Sequence, residues 1–269
     1  LDGFHGRTMG ALAATGTERY REPFAPLAPG FAHVPWNDLD AIKAATTDKT
    51  VAVLLEPIQG EAGVNMPAEG YLRGVRDWCD EKGLLLILDE IQTGNGRTGT
   101  LWAYEQEGIE PDIMAVAKGL AGGVPIGAIL AREEVAAHLV KGDHGTTFGA
   151  NPLATATGLA TMRHIIENKL PAQAARAADR FTTRLRSLED RLEVVNEVRG
   201  RGLLLAIGFN RDCATDVLDA CRRRGLLVNN PRPNTIRFMP PLNVTDDEID
   251  RASDILEAAI IEATSTAAK

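Results

Sequence analysis

The feature that most constrains this chain is the run GLLLILDE at 83–90, in which five apolar residues stand between a glycine and two acids. A run this short and this evenly apolar reads as a strand buried on both faces, the environment of a parallel sheet covered by helices. Its surroundings agree. VAVLLE (51–56), DIMAVA (112–117) and IGAILA (126–131) are further strand candidates, the last following a GGVP turn. Between the first two strands, Pro67 is expected to open a helix with Leu72, Val75 and Cys79 on one face, closed by Gly83. Short apolar runs alternating with helical patterns predict an α/β fold with a mostly parallel central sheet.

After Pro152 the pattern changes. Apolar residues at helical spacing run over 152–168 and 171–191, separated by Pro171. VVNEVRG and GLLLAIGF then read as strands, 213–224 as a helix and NTIRFMPP as a short strand. Thr245 with Glu248 three residues on forms a capping box for a last helix running through Ile249, Ala252, Leu256 and Ile260. The expected division is a large domain over 1–170 and a small α+β domain over 171–269. A composition of 44% hydrophobic and 25% charged residues lets both bury a core without disulfides or metals.

Charge and cysteine content exclude several function classes. A net charge of −8, from 29 basic and 37 acidic residues, argues against nucleic acid or an anionic membrane as the main partner. Cys79, Cys213 and Cys221 are odd in number and lack CxxC spacing, which argues against a disulfide scaffold or zinc site and for reduced thiols suited to the cytoplasm. No apolar run approaches the roughly 18 residues of a spanning helix. The opening residues LDGFHGRTMG do not read as a signal peptide, and a start at Leu1 reads as a processed chain or a fragment. No GxGxxG follows the first strand, as an NAD-binding doubly wound fold would require.

The chemistry-bearing residues lie at expected strand ends. Asp89 closes the most apolar strand, where burial penalises its charge unless a cation or hydrogen bonds hold it. Lys118 leaves a later strand and enters the glycines of KGLAGG, which allow a ligand to approach the backbone. A lysine in such a place can serve as nucleophile and base. Spacing alone leaves the alternative open that Lys118 is a surface lysine and Asp89 caps the next turn.

Five longer strings carry more: LLEPIQGEAGV, LLILDEIQTGNGRTG, PDIMAVAKGLAGGVPIGA, HGTTFGANPLATA and RGRGLLLAIGF. In this order and with these gaps the chain resembles the class III (ω-type) pyridoxal-phosphate aminotransferases, from FHGRT (4–8) to IRFMPPL (236–242) and the last helix. Within that family it is most similar to the members acting on acetylornithine, with the ornithine group next. The resemblance implies fold type I of the pyridoxal-phosphate (PLP) transferases. It also implies transfer of the terminal amino group of N-acetylornithine to 2-oxoglutarate, in arginine biosynthesis. Ornithine, succinylornithine and 4-aminobutyrate are alternative donors.

The resemblance also assigns roles. Asp89 pairs with the pyridine nitrogen of PLP and Lys118 holds the cofactor as a Schiff base. Phe4 stacks on the ring, Ile91 packs on its opposite face and Gln92 reaches the phenolic oxygen. Thr147 binds the cofactor phosphate of the neighbouring subunit, which implies a homodimer with shared sites. Arg7 and Arg237 receive substrate carboxylates, Glu61 gates Arg237 and Glu56 supports the site. Plain readings stand beside these: Ile91 as core, Thr147 as a polar turn before Asn151–Pro152, and each glutamate as a solvated loop charge.

Two departures from the family pattern are visible. Family members carry a Ser/Gly-Thr phosphate loop upstream of the segment matching FHGRT, so the resemblance implies an N-terminally truncated chain, either an enzyme or a catalytically silent fragment of one. Ala150 in TFGAN stands where the family usually has a second glycine, which bears on local loop geometry.

Overall fold

The structure, a computed structural model, describes residues 1–265. The chain divides into two compact units. The first comprises Leu1–Gln59, Pro67–Asn95 and Leu101–Asn168; the second takes Gly60–Met66, Gly96–Thr100 and the chain from Lys169 onward.

The first unit opens with three short helices, α1 (Met9–Ala14), α2 (Glu18–Arg21) and α3 (Leu39–Ala45). None has a strong sequence signal, since segments this short cannot display a full amphipathic repeat. Then follow β1 (Ala52–Leu55), α4 (Tyr71–Lys82), β2 (Leu85–Asp89), β3 (Ile113–Val116), β4 (Ala128–Ala131), α5 (Glu133–Ala136) and α6 (Pro152–Glu167). The sheet order is β1-β2-β3-β4. β1, β2 and β3 run parallel, in a register that sets Leu54 beside Ile87 and Asp89 beside Ala115. β4 returns antiparallel to β3. The stretch between them carries only a short 3-10 turn, and a parallel return needs a true crossover.

Leu72, Val75 and Cys79 line the buried face of α4 as their spacing predicts, packing with Leu55, Leu86 and Leu88. The helix starts at Tyr71 rather than Pro67, because Gly70 in between has φ 75 and lies outside helical geometry. Gly83 ends it in the left-handed region at φ 65, and the N–H of Leu84 donates to the Cys79 carbonyl at 2.8 Å. The expectation that β2 is buried on both faces needs correction. Leu86 and Leu88 are buried against the α4 core, whereas Leu85 and Ile87 are half-buried. β4 is exposed along its length, with Ile129 at 75%.

One carboxylate ties these elements together. Asp112, just before β3, accepts from the N–H of Leu86 in β2 at 2.7 Å and from Arg76 of α4 at 2.7 Å, with Arg132 beyond β4 at 3.3 Å. Burial pushes its carboxyl up, but the Leu86 N–H and the guanidiniums of Arg76 and Arg132 win and hold it below its ordinary value.

The second unit holds α7 (Leu170–Arg191), β5 (Val195–Arg201), β6 (Leu204–Phe209), α8 (Ala214–Arg223), β7 (Asn229–Arg232), β8 (Thr235–Phe238) and α9 (Asp246–Ser265). Its antiparallel sheet has the order β5-β6-β8-β7, and every residue of the central β6 is buried. Phe181, Leu185, Ile207, Phe209, Ile236 and Leu256 belong to its core. The break before α7 falls at Lys169, φ 53, while Pro171 sits inside the first turn, where its missing N–H costs nothing. The capping box forms: Thr245 N–H donates to Glu248 Oε2 at 2.8 Å and Glu248 N–H to Thr245 Oγ1 at 3.3 Å. β7, sequence NNPR, has no apolar alternation to announce it, and its proline is tolerated because the strand lies at the sheet edge. All three cysteines are buried and free, and burial pushes the thiols of Cys79 and Cys221 up to about 11.

Residues 141–150, ahead of α6, are exposed throughout and end at Ala150 with φ 55, a conformation natural to glycine. Ala150→Gly is therefore expected to stabilise the entry to α6 by about 0.5 kcal/mol, the left-handed strain removed less the added unfolded-state freedom. Slower amide exchange at Ala154 and Thr155 would register it, and faster exchange would contradict it. Asp112→Asn is expected to destabilise by about 2 kcal/mol at neutral pH, because the buried Arg76 keeps only its second carboxylate partner, Asp80 at 2.7 Å, and the Leu86 N–H loses a charged acceptor. Asp112 stabilises fully above its ordinary pKa of 3.8 and loses this as pH falls through the depressed folded value, so the variant should also show a shallower acid limb in urea melts below that pH.

Candidate active site

In the first unit the parallel strands deliver acidic and basic groups to one edge of the sheet. Glu56 follows β1, Asp89 ends β2, and Lys118 follows β3 after one intervening residue. The N–H of Glu90 donates to Ala115 O at 2.9 Å, extending the β2–β3 ladder to the point where both strands release their functional residues. The carboxyl ends of parallel strands are where open α/β sheets place ligands.

Asp89 is the most constrained of these groups. Its side chain is 6% exposed. Oδ2 lies 2.9 Å from Nδ1 of His5, and Oδ1 accepts from the Ile91 N–H at 3.0 Å. An ionised aspartate can only accept, so against it Nδ1 of His5 carries the hydrogen. His5 in turn is anchored through its own N–H to Thr15 Oγ1 at 3.0 Å. The neighbouring Phe4 N–H donates to Glu56 Oε1 at 3.0 Å, and Glu56 is buried. The FHGRT segment is thus bound to the sheet edge at two consecutive residues. His5 was not singled out from sequence; its partner lies 84 residues away and only the fold brings them together.

Glu90, next to Asp89, is fully buried yet serves a different end. Its carboxylate accepts from Thr93 Oγ1 and from the Tyr104 N–H at 2.9 Å, and burial pushes its carboxyl up. It fastens the turn that carries Ile91 and Gln92 to the segment around Tyr104. Gln92 is buried and Ile91 half-buried in that turn. The GNGRTG string at 94–99 has glycine spacing like a dinucleotide-binding loop, but lies in a run of turns and opens no helix.

Lys118 is exposed and takes φ 48, unusual for a residue with a Cβ. Backbone held there costs about 1–3 kcal/mol and is characteristic of residues aimed at a functional site. Phe4 meets Tyr20 edge-on at 6.0 Å between ring centroids. Arg7 is exposed with its guanidinium 3.9 Å from the Tyr20 ring centroid and 5.5 Å from that of Phe4. Thr147 stands on the exposed stretch before α6, with Phe148 beside it 81% exposed.

The second unit holds the other two substrate-binding candidates together. Nη1 of Arg237, on β8, donates to Gly60 O at 2.7 Å and to Glu61 Oε2 at 3.1 Å. The arginine side chain is 10% exposed and the glutamate 35%. Two further guanidiniums clamp the same loop: Arg199 Nε donates to Gly63 O at 3.0 Å and Arg232 Nε to Ala62 O at 2.9 Å. Arg97, half-buried and lowered by desolvation to about 10, donates to the carbonyls of Leu203 and Pro240, joining the start of β6 to the chain just past β8.

Comparison with known proteins identifies the family. The family model for class-III aminotransferases matches residues 1–260. The chain is 47% identical over 253 residues to an acetylornithine aminotransferase of Methanothermobacter thermautotrophicus, covering 94% of this chain and 65% of that protein. It is 51% identical over 251 residues to the acetylornithine aminotransferase of Methanopyrus kandleri, covering 93% and 64%. The chain thus spans just under two thirds of the length of these relatives. Among solved structures, an ornithine aminotransferase from Toxoplasma gondii, described with partial occupancy of PLP at its active site, superposes with a TM-score of 0.94 at 37% identity, covering 100% of this chain and 64% of that one. The acetylornithine aminotransferase from Elizabethkingia anophelis gives a TM-score of 0.83 at 37% identity, covering 89% and 62%. With a family model matched along nearly its whole length and relatives this similar, the chain belongs to the class-III aminotransferases.

Proposed function

We propose that this chain carries the chemistry of a PLP-dependent aminotransferase that moves the terminal amino group of N-acetylornithine to 2-oxoglutarate, as in arginine biosynthesis. The observation that carries this reading is the paired strand ends: a buried Asp89 held by His5 and the Ile91 N–H, beside a strand that releases Lys118. The acetylornithine aminotransferases to which the chain is similar supply the substrate part of the reading.

The residues fit the cofactor on chemical grounds. A carboxylate that is 6% exposed and still has acceptor capacity suits a protonated ring nitrogen, and an exposed primary amine just past the adjacent strand suits an aldehyde carbon. When bound, PLP supplies an electron sink for the charge left as a proton leaves the carbon bearing the amino group. Asp89 would hold the ring nitrogen, with its carboxylate oriented by the contact between Oδ2 and His5 Nδ1. Ile91 and Phe4 would flank the ring and Gln92 would reach its phenolic oxygen. Lys118 Nζ would hold the cofactor covalently and would serve as the base that takes the proton from the carbon bearing the amino group.

Two arginines would receive carboxylates. Arg7 is exposed with its guanidinium over the Tyr20 ring and would offer its N–H groups to a carboxylate. Arg237 is neutralised by Glu61, which suits a donor whose side chain brings no second charge. Rotation of the part-exposed Glu61 would free Arg237 for the distal carboxylate of 2-oxoglutarate. Glu56 supports the loop by holding the Phe4 N–H. The exposed Thr147, with Phe148 and Leu153 exposed nearby, supports a homodimer in which Thr147 reaches the cofactor phosphate of the neighbouring subunit. The three buried, free cysteines suit a reducing compartment, which supports a cytoplasmic location. Among the described residues no helix is long and apolar enough to cross a membrane. The ornithine aminotransferase superposition favours ornithine as the second donor to test.

Incubation with PLP, borohydride reduction and peptide mass mapping should place the label on Lys118 and lose it in Lys118→Ala; a folded protein labelled elsewhere or not at all refutes the cofactor assignment. With 2-oxoglutarate as acceptor, kcat/KM for N-acetylornithine should exceed those for ornithine and 4-aminobutyrate by about tenfold or more, the discrimination expected from one differential polar contact. Equal values for the three donors would contradict the acetylornithine preference.

A further inference from the structure

Asn95 has no part in the chemistry assigned so far, yet three independent features converge on it. It is 5% exposed and holds φ 57, a backbone conformation that asparagine and glycine accept and other residues resist. Its side-chain Nδ2 donates to the carbonyl of Ala117 at 3.2 Å, across 22 residues of sequence. Its Oδ1 is buried with no hydrogen-bond partner among the described residues. The assignment of nitrogen and oxygen follows from that bond, since the reverse would set two acceptors face to face.

The Ala117 carbonyl belongs to the peptide that joins β3 to Lys118. It accepts a second bond from the Leu120 N–H at 3.1 Å, so the peptide plane is held from two sides. Ala117 lies at φ −163, ψ −146, and Lys118 follows at φ 48. The orientation of this one peptide decides where the Lys118 Cα–Cβ bond points. The Cα of Gly119 also lies close to Asn95, since a Cβ built there would come within 3.7 Å of both Cβ and Nδ2 of the asparagine. A buried amide with one orphaned acceptor is a costly way to fill space, and glycine would satisfy the same φ without it. The retained donor is what the arrangement uses.

We infer that Asn95 is a positioning residue for Lys118, acting through the Ala117 carbonyl to hold the strained Lys118 backbone so that its amine is aimed at an incoming aldehyde. The inference rests on the reading of Lys118 as the cofactor lysine. It predicts that the amide donor of Asn95, rather than its bulk or backbone preference, controls the rate at which Lys118 captures PLP and the pH dependence of that adduct.

Two variants isolate the donor. Asn95→Gly keeps the backbone conformation and removes the amide, while Asn95→Asp keeps size and conformation but presents an acceptor to the Ala117 carbonyl. Both are compared with the unmodified chain by thermal melting, by the rate of borohydride-trapped label on Lys118 with PLP alone, and by the pH midpoint of the visible absorbance of the bound cofactor. Both variants should melt cooperatively and capture PLP about tenfold more slowly, the equivalent of one lost hydrogen bond, with the pH midpoint displaced. Aspartate should be the slower of the two. If the unmodified chain labels Lys118 and both variants label it at the same rate with the same midpoint, the role of Asn95 is refuted and the lysine assignment stands. If the unmodified chain fails to label Lys118, both fall together.

Discussion

The parallel pairing of β2 with β3 is the interaction on which the rest of the first unit depends. At its start Asp112 takes the Leu86 N–H into the same carboxylate that pairs with Arg76, pinning β3, β2 and α4 to one another. At its end the Glu90 N–H meets Ala115 O. Between these points the register is fixed residue by residue, and a slip of one would turn Asp89 to the opposite face of the sheet. Because the strands run in the same direction, their carboxyl ends lie side by side, and an acid and an amine far apart in sequence become neighbours at one edge.

Burial then differentiates chemically similar groups. Asp89 and Glu90 are adjacent and both buried, but Asp89 ends β2 while Glu90 falls just past it, and their side chains meet different partners. Asp89 meets His5 and the Ile91 N–H and retains acceptor capacity for a ligand. Glu90 spends its oxygens on Thr93 and the Tyr104 N–H, and so serves the turn rather than the chemistry. The left-handed backbone at Lys118 and Asn95 shows a similar economy. At these two positions the unfavourable conformation is accompanied by hydrogen bonds, since Asn95 Nδ2 and the Leu120 N–H both donate to the Ala117 carbonyl that precedes Lys118.

In the second unit the device is different: guanidiniums hold a loop by its carbonyls. Arg199, Arg232 and Arg237 donate to Gly63, Ala62 and Gly60, so the segment carrying Glu61 is held by its backbone while its carboxylate stays part-exposed. The loop backbone is thereby fixed while the Glu61 carboxylate stays part-exposed, an arrangement compatible with the gating role proposed for it.

Much of this was determined by the sequence alone. Apolar runs at 51–56, 83–90 and 112–117 announce the parallel strands, Thr245 with Glu248 announces the last helix, and the five ordered motifs point to the class-III family, because each depends on neighbours within a few residues. What only the tertiary structure decided are relations across long separations and at surfaces. Those include His5 against Asp89, Asn95 against Ala117, the antiparallel return of β4 and the one-sided burial of β2. β7, an edge strand without alternation, and the helix start delayed by Gly70 also had no local signature strong enough to read. The physical reason is common to all of them: periodicity reports which side of an element is apolar, whereas a hydrogen bond spanning tens of residues exists only once packing has brought its two ends within about 3 Å.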